Sequence, residues 1–186
     1  MIYKMSTVSI IGTSGRSDNI TKELYMKMIS ASIIYLKSLN LESIILVSGG
    51  AAFSDHIAVH LFLYKEDYKL NIIDLKLDLP CQFDMNTHKF EDNGNTDWKK
   101  NPGKVANYYH DKFNFITKNN SYDELYKVIN NGAKIFIHNG FHSRNQFVAE
   151  SEYMLAFSFG KNYPEDGGTK HTWNLSKGNK FHISLL

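Results

Sequence analysis

Short runs of aliphatic and β-branched residues alternate along this chain with longer segments whose apolar positions recur every three to four residues. Thr7 to Ile11 is the first short run and stops at Gly12. Ser43 to Val47 is the second and stops at Ser48-Gly49-Gly50, and Leu70 to Leu75 reads as a third. Continuous apolar runs of this length, bounded by glycine, predict strands buried on both faces. Between the first two, the segment from Thr21 to Leu39 sets Leu24, Met28, Ala31, Tyr35 and Leu39 at helical spacing and predicts an amphipathic helix. Ser54 is placed to cap a helix that reaches about Tyr64. The alternation of strand and helix predicts a parallel sheet with helices on its faces, and right-handed crossovers then bring the loop after each strand to one edge. The chain is therefore read as α/β, a Rossmann-like three-layer fold with a mostly parallel central sheet.

The rhythm breaks between about Pro80 and Lys118, a polar and aromatic stretch containing Trp98, Tyr108, Tyr109 and His110 and the turn signal Asn101-Pro102-Gly103. This reads as an insertion, suited to a lid, with a helix from about Lys104. The pattern then resumes: a helix from Tyr122 to Asn131, a strand from Ala133 to Ile137, a helix from Phe141 to Glu152 and a strand from Tyr153 to Phe159. A last helix opens at Asp166-Gly167-Gly168-Thr169, and Phe181 to Leu185 reads as an edge strand. With 186 residues and neither repeats nor low-complexity linkers, residues 1–186 are read as one domain.

Charge narrows the partners. The formal net charge is only +2, and Lys and Arg are scattered, which argues against long nucleic acid as a partner. A small anion held by backbone N–H groups needs no net charge. The single cysteine, Cys81, excludes an internal disulfide and a multi-cysteine zinc site. No apolar run reaches the roughly 20 residues of a membrane span, so no membrane partner is expected. The first residues lead directly into a strand-like segment, without a signal peptide's apolar stretch. A cytoplasmic protein is expected, as a homodimer or higher homo-oligomer.

The chemistry concentrates in two Gly-rich turns, each after a strand and before a helix. One is Ser48-Gly49-Gly50-Ala51 leading to Asp55; the other is Asp166-Gly167-Gly168-Thr169 leading to His171 and Thr172. Glycine lets a phosphate approach the backbone closely, and the following helix offers unpaired N–H groups and a positive dipole end. A third loop, Gly12-Thr13-Ser14-Gly15-Arg16, lacks the full G-x-G-x-x-G fingerprint but brings Ser14 and Arg16 within reach of a phosphate. Two or three such loops on one sheet edge predict a cradle for a nucleotide or nucleotide-derived ligand.

The pattern Ser48-Gly49-Gly50-Ala51, with Asp55 four residues on, resembles the S-G-x-A-x-x-x-D signature of the DNA-processing protein A family. Arg144, the segment Tyr153-Met154-Leu155-Ala156-Phe157 and the later Gly167-Gly168-Thr169 resemble the "lonely guy" phosphoribohydrolases. In those, an Arg on a helix precedes an A-D-A-F-I strand and P-G-G-x-G-T-x-x-E. Both groups are SLOG-type Rossmann-like proteins. The chain as a whole resembles an uncharacterised SLOG-type family that shares V-S-G-G-A-A-x-x-D-H, N-x-x-x-x-A-N-Y-Y-H and G-F-H-x-R-N. The resemblance to the phosphoribohydrolases implies cleavage of an N-glycosidic bond, with Arg144 in the catalytic pair. At the position of their catalytic Glu, however, this chain has Thr172. Asp55 or Asp166 would then have to supply the carboxylate, with Glu150 and Glu152 as further candidates.

Arg144 lies in Gly140-Phe141-His142-Ser143-Arg144-Asn145, at the start of a predicted helix, where a cation opposes the helix dipole. Such a local conflict often marks function: Arg144 is read either as gripping a ligand's phosphate or carboxylate or as a structural salt bridge or solvated surface residue, and Asn145 stands beside it. His142 and His171 are candidate hydrogen-bond donors or general acid/base groups. His138 and His142 flank Asn139-Gly140, which breaks helical register, and no H-E-x-x-H pattern exists, so neither a metal nor a cofactor is expected. Trp98, Tyr108 and Tyr109 could stack on a base beneath the insertion, or simply pack it down. Two functions remain open: a nucleotide hydrolase, and a non-catalytic sensor or sequestering protein for a cyclic or ADP-ribose-type signal. DNA binding, by kinship with the DNA-processing family, is a weaker third.

Overall fold

The structure, a computed structural model, describes residues 5–186. Strand β1 (Met5–Gly12) lies inside a six-stranded sheet with β2 (Ser43–Ser48), β3 (Ile72–Leu79), β6 (Lys134–Ile137), β7 (Tyr153–Ser158) and β8 (Asn179–Ser184), in the order β6-β3-β2-β1-β7-β8. Every pairing in it is parallel. A two-stranded antiparallel hairpin, β4 (Phe83–Asp84) and β5 (Lys89–Phe90), stands apart.

Helices α1 (Lys22–Ser38), α2 (His56–Leu63), α3 (Pro102–Thr117) and α4 (Ser121–Asn130) pack against one another as one layer, and α5 (Gly140–Val148) and α6 (Gly167–Leu175) as the other. The arrangement is a Rossmann-like three-layer fold. From β1 the chain steps outward through β2 and β3 to β6, then crosses back on α5 to β7 on the opposite flank of β1. The loops after β1 and β7 consequently diverge toward opposite helical layers. A cleft at the carboxyl ends of neighbouring strands with this property is where open α/β sheets bind ligands.

The strands follow the aliphatic runs, with one extension. β3 continues to Leu79 because Lys76 and Asp78 point to one face while Leu75, Leu77 and Leu79 are buried on the other. Asp78, fully buried, accepts from His138 Nε2 at 2.8 Å and pairs with Lys76 at 3.1 Å, tying β3 to the end of β6. α1 begins where Thr21 Oγ1 accepts the Leu24 N–H at 3.1 Å. Its buried stripe is Tyr25, Met28, Ile29, Ser32 and Leu36; of the expected stripe only Met28 is fully buried. The helix is rotated because Tyr25 inserts edge-on against Phe113 of α3, at 4.9 Å between ring centroids, and Phe113 meets Phe53 at 5.0 Å.

Other elements differ from the sequence reading. Ser54 does not cap α2: the helix starts at His56, and the Ser54 hydroxyl is buried without a partner. α5 ends at Val148, where the Ser151 hydroxyl turns back to the Val148 carbonyl at 3.0 Å. The hairpin was not expected. It is pinned by Asn107, whose amide both accepts from and donates to the Phe90 backbone (3.0 and 2.8 Å), replacing a neighbouring strand. α3 starts at Pro102 rather than Lys104, with Asn101 accepting the Lys104 N–H at 3.1 Å. Among the described residues, no helix is long and apolar enough to cross a membrane.

Candidate functional site

The two glycine turns, far apart in sequence, meet in space. Gly49, Gly50 and Ala51 after β2, and Gly167, Gly168 and Thr169 at the start of α6, line one cavity of about 1170 Å³ over the carboxyl ends of the strands. The loop after β1 (Gly12, Thr13, Ser14, Arg16) forms a third side, and Ser158, Phe159 and Gly160 after β7 a fourth. Trp98, Lys99 and Tyr109 from the inserted segment reach the same cavity.

The first turn is organised around Asp55. Its carboxylate is buried and faces the backbone N–H groups of Ala51, Gly49 and Gly12, which brings the loops after β1 and β2 around one pair of oxygens. Burial raises the Asp55 pKa above the ordinary carboxylate value, while the Arg144 guanidinium, 3.5 Å away, and the three N–H groups work against that rise. Ser48 completes the turn by donating to the Asp55 carbonyl at 2.8 Å and accepting the Gly50 N–H at 3.1 Å.

Arg144 projects from α5 into this loop. It donates to the Gly49 carbonyl and, through Nε, to Asn145 Oδ1 at 3.0 Å. Only 8% of the residue is exposed. Burial lowers the guanidinium pKa, and Asp55 and then Asp78 oppose the shift. A Cβ at position 49 would overlap the guanidinium carbon and nitrogen, so glycine is dictated there by the Arg144 side chain. Gly50 is set differently, by a left-handed φ of 68° and by Leu79 crowding the space a Cβ would fill.

The second turn is open where the first is closed. α6 starts after Asp166, whose exposed side chain makes no capping hydrogen bond, so the first N–H groups of the helix face the cavity without a side-chain cap. Arg16 lies beside them, its Nη1 within 3.2 Å of where a Gly167 Cβ would be. Arg16 is exposed and has no ion-pair partner among the described residues. A helix N-terminus with a free guanidinium alongside is an anion-binding arrangement.

No family model matches this sequence. The chain is 35% identical, over 188 residues spanning 96% of it and 95% of the other protein, to "Uncharacterized protein R261" of Acanthamoeba polyphaga mimivirus. The chain belongs to the same family as that viral protein.

In this member of the family, most residues expected at the site line the cavity. They are Gly12, Thr13, Ser14, Arg16, Gly49, Gly50, Ala51, Asp55, Arg144, Asn145, Asp166, Gly167, Gly168, Thr169 and Thr172. Ser48 and His171 do not. Ser48 is fully buried inside its turn. His171 sits behind Asn145, whose Nδ2 lies 3.3 Å from His171 Nδ1, and against His142, at 4.8 Å between rings; His142 itself faces the cavity. Thr172 donates its hydroxyl to the Gly168 carbonyl at 2.9 Å, within α6. Of the aromatic trio, Trp98 and Tyr109 line the cavity and Tyr108 does not.

Two contributors were not singled out from the sequence. Ser158 to Gly160 sit at the carboxyl end of β7, a position that the parallel-sheet expectation already favours. His110 is fully buried and holds the Gly50 carbonyl with Nε2 at 3.0 Å, while Nδ1 lies 2.9 Å from the Ser121 hydroxyl. Burial pushes its pKa down to about 3, so the ring is neutral and donates from Nε2. Beside it, His56 donates to Glu124 at 2.6 Å. No local signal distinguishes these histidines from surface ones.

Proposed function

We propose that the protein binds a nucleotide or nucleotide-derived anion across this cavity. The observation that carries the reading is the convergence of the uncapped start of α6 and unpaired Arg16 on the rim facing the turn built by Gly49, Asp55 and Arg144. Kinship with the SLOG-type Rossmann-like proteins, suggested by the Gly-rich motifs, is part of the proposal and agrees with the cavity's place at the carboxyl ends of the strands.

Hydrolysis of an N-glycosidic bond needs a carboxylate close to the developing oxocarbenium ion. Asp55 is occupied by three N–H groups and Arg144, and Thr172 by its own helix. Asp166, exposed on the cavity, is the carboxylate left for the hydrolytic reading. The engaged state of Asp55 favours the second reading, a protein that captures or senses the ligand without cutting it. We place it in the cytoplasm. Self-association is part of the proposal too: edge strand β6 leaves Ile135, Phe136 and Ile137 between 38% and 46% exposed, and light scattering on a sizing column tests it.

The experiment is a thermal-shift series with nucleoside monophosphates, cyclic nucleotides and ADP-ribose, followed by chromatography of each mixture for free base. A rise in Tm that increases with ligand concentration supports binding, because a ligand selective for the native state stabilises it by mass action. Free base, abolished by Asp166→Asn, selects the hydrolase; stabilisation with the ligand recovered intact selects the sensor. No shift with any of these compounds rejects both.

A further inference from the structure

We propose that Trp98 is the platform on which the ligand's base stacks, so that the inserted segment selects for a nucleobase while the glycine turns hold the anion. The inference rests on the nucleotide reading above and adds where the ring goes.

Residues 91–100 are all exposed, yet the strap they form is heavily cross-braced. Gly94 N–H bonds to Asp92 Oδ1 at 2.8 Å, Asn95 N–H to Asn93 Oδ1 at 3.0 Å, Asp97 N–H to Asn95 Oδ1 at 2.9 Å and Lys99 N–H to Asp97 Oδ1 at 3.0 Å. Asn93 reaches across to the Lys100 carbonyl at 2.8 Å, and fully buried Asn101 anchors the base of the strap on Asp92 and the Asn95 carbonyl, at 2.6 and 2.9 Å. This bracing holds in place a three-residue 3-10 turn, Trp98–Lys100.

Trp98 touches Tyr108 edge-on at 5.3 Å and remains 45% exposed, with its cavity side uncovered. A large indole on a fixed strap, facing a cavity whose adjoining wall is Val105, Ala106 and Tyr109, is an apolar shelf beside an anion cradle. Stacking suits it because every base has a π-face, and a pre-positioned ring loses little freedom on binding. The anion-binding features (Arg16, the start of α6) come from other loops, so one ligand spanning both must carry an aromatic ring and a phosphate.

Binding of adenosine monophosphate and of ribose 5-phosphate is measured by calorimetry on the full chain and on Trp98→Ala and Trp98→Phe. Because the only other tryptophan is Trp173, fluorescence of a Trp173→Phe protein reports Trp98 alone. The expected result is about a tenfold loss of adenosine monophosphate affinity in Trp98→Ala, restored in large part by Trp98→Phe, with ribose 5-phosphate affinity unchanged. Trp98 emission should be quenched by adenosine monophosphate and not by ribose 5-phosphate. Equal adenosine monophosphate affinity in the wild type and Trp98→Ala overturns the platform and leaves the nucleotide reading intact. So does binding of ribose 5-phosphate as tightly as the nucleotide. Failure of both compounds to bind overturns the platform, and only failure of every compound in the thermal-shift series overturns the nucleotide reading with it.

Discussion

Arg144 and Gly49 compete for the same volume: the guanidinium donates to the glycine carbonyl and lies where any side chain at position 49 would begin. Residues 95 positions apart in sequence thus constrain each other directly. Gly49→Ala should displace Arg144 from its seat and destabilise the protein by about 2–3 kcal/mol, the usual cost of overfilling a packed interior. Urea denaturation measures the loss. A change under about 0.5 kcal/mol, the range of neutral surface substitutions, would mean that Arg144 adjusts freely.

Removing Arg144 leaves the buried Asp55 carboxylate without its cation and the Gly49 carbonyl without its donor. Arg144→Met should cost about 3–5 kcal/mol, the penalty of breaking a buried pair from one side. Combining it with Asp55→Asn should cost less than the two single changes together, with a coupling of about 1–3 kcal/mol in a double-mutant cycle. Strict additivity would show that the 3.5 Å separation carries no energetic link.

Acid stability follows from His110. Its pKa is held down to about 3 in the folded protein, against 6.5 for the free side chain. The unfolded chain therefore takes up a proton that the native state refuses, and stability is present above about pH 6.5 and lost as pH falls toward 3. Between pH 7 and pH 5 this one group should remove about 2 kcal/mol. His60, also lowered by burial, acts in the same direction. His110→Gln, which keeps a donor for the Gly50 carbonyl, should flatten the profile of unfolding free energy against pH. An unchanged slope would place the titration elsewhere.

Arg16 is the opposite case, exposed and unpaired, so Arg16→Ala should alter stability by less than about 0.5 kcal/mol. It should weaken binding of a phosphate-bearing ligand about tenfold, because charge-assisted hydrogen bonds to phosphate are among the stronger polar contacts. Titration calorimetry at two salt concentrations checks both the loss and its electrostatic origin. Full affinity in the variant would move the anion away from the start of α6.

The strands were readable because each short aliphatic run ends in glycine or a polar stop, and parallel strands buried on both faces have that signature. β3 was cut short because Lys76 and Asp78 interrupt its run; only the fold shows that they answer one another and His138. The Gly-rich turns were readable as a pair of cavity walls from residue type alone once a parallel sheet was expected. The task of Asp55 was not: S-G-G-A-x-x-x-D does not reveal that its carboxylate gathers N–H groups from two different loops. Nor was the engagement of Ser48 and Thr172 with their own turn and helix. The bracing of residues 91–101 by Asp and Asn is local and follows from side-chain chemistry, yet where that strap leans depends on α3.

The Gly50 carbonyl is satisfied by a ring sixty positions further along the chain. A growing polypeptide therefore cannot give this bend its final shape until α3 has emerged and settled, however early β1 and β2 associate. The part of the molecule best suited to holding a guest is assembled late, and a truncation that spares every cradle residue but removes the inserted segment should yield a sheet with its rim left unfinished.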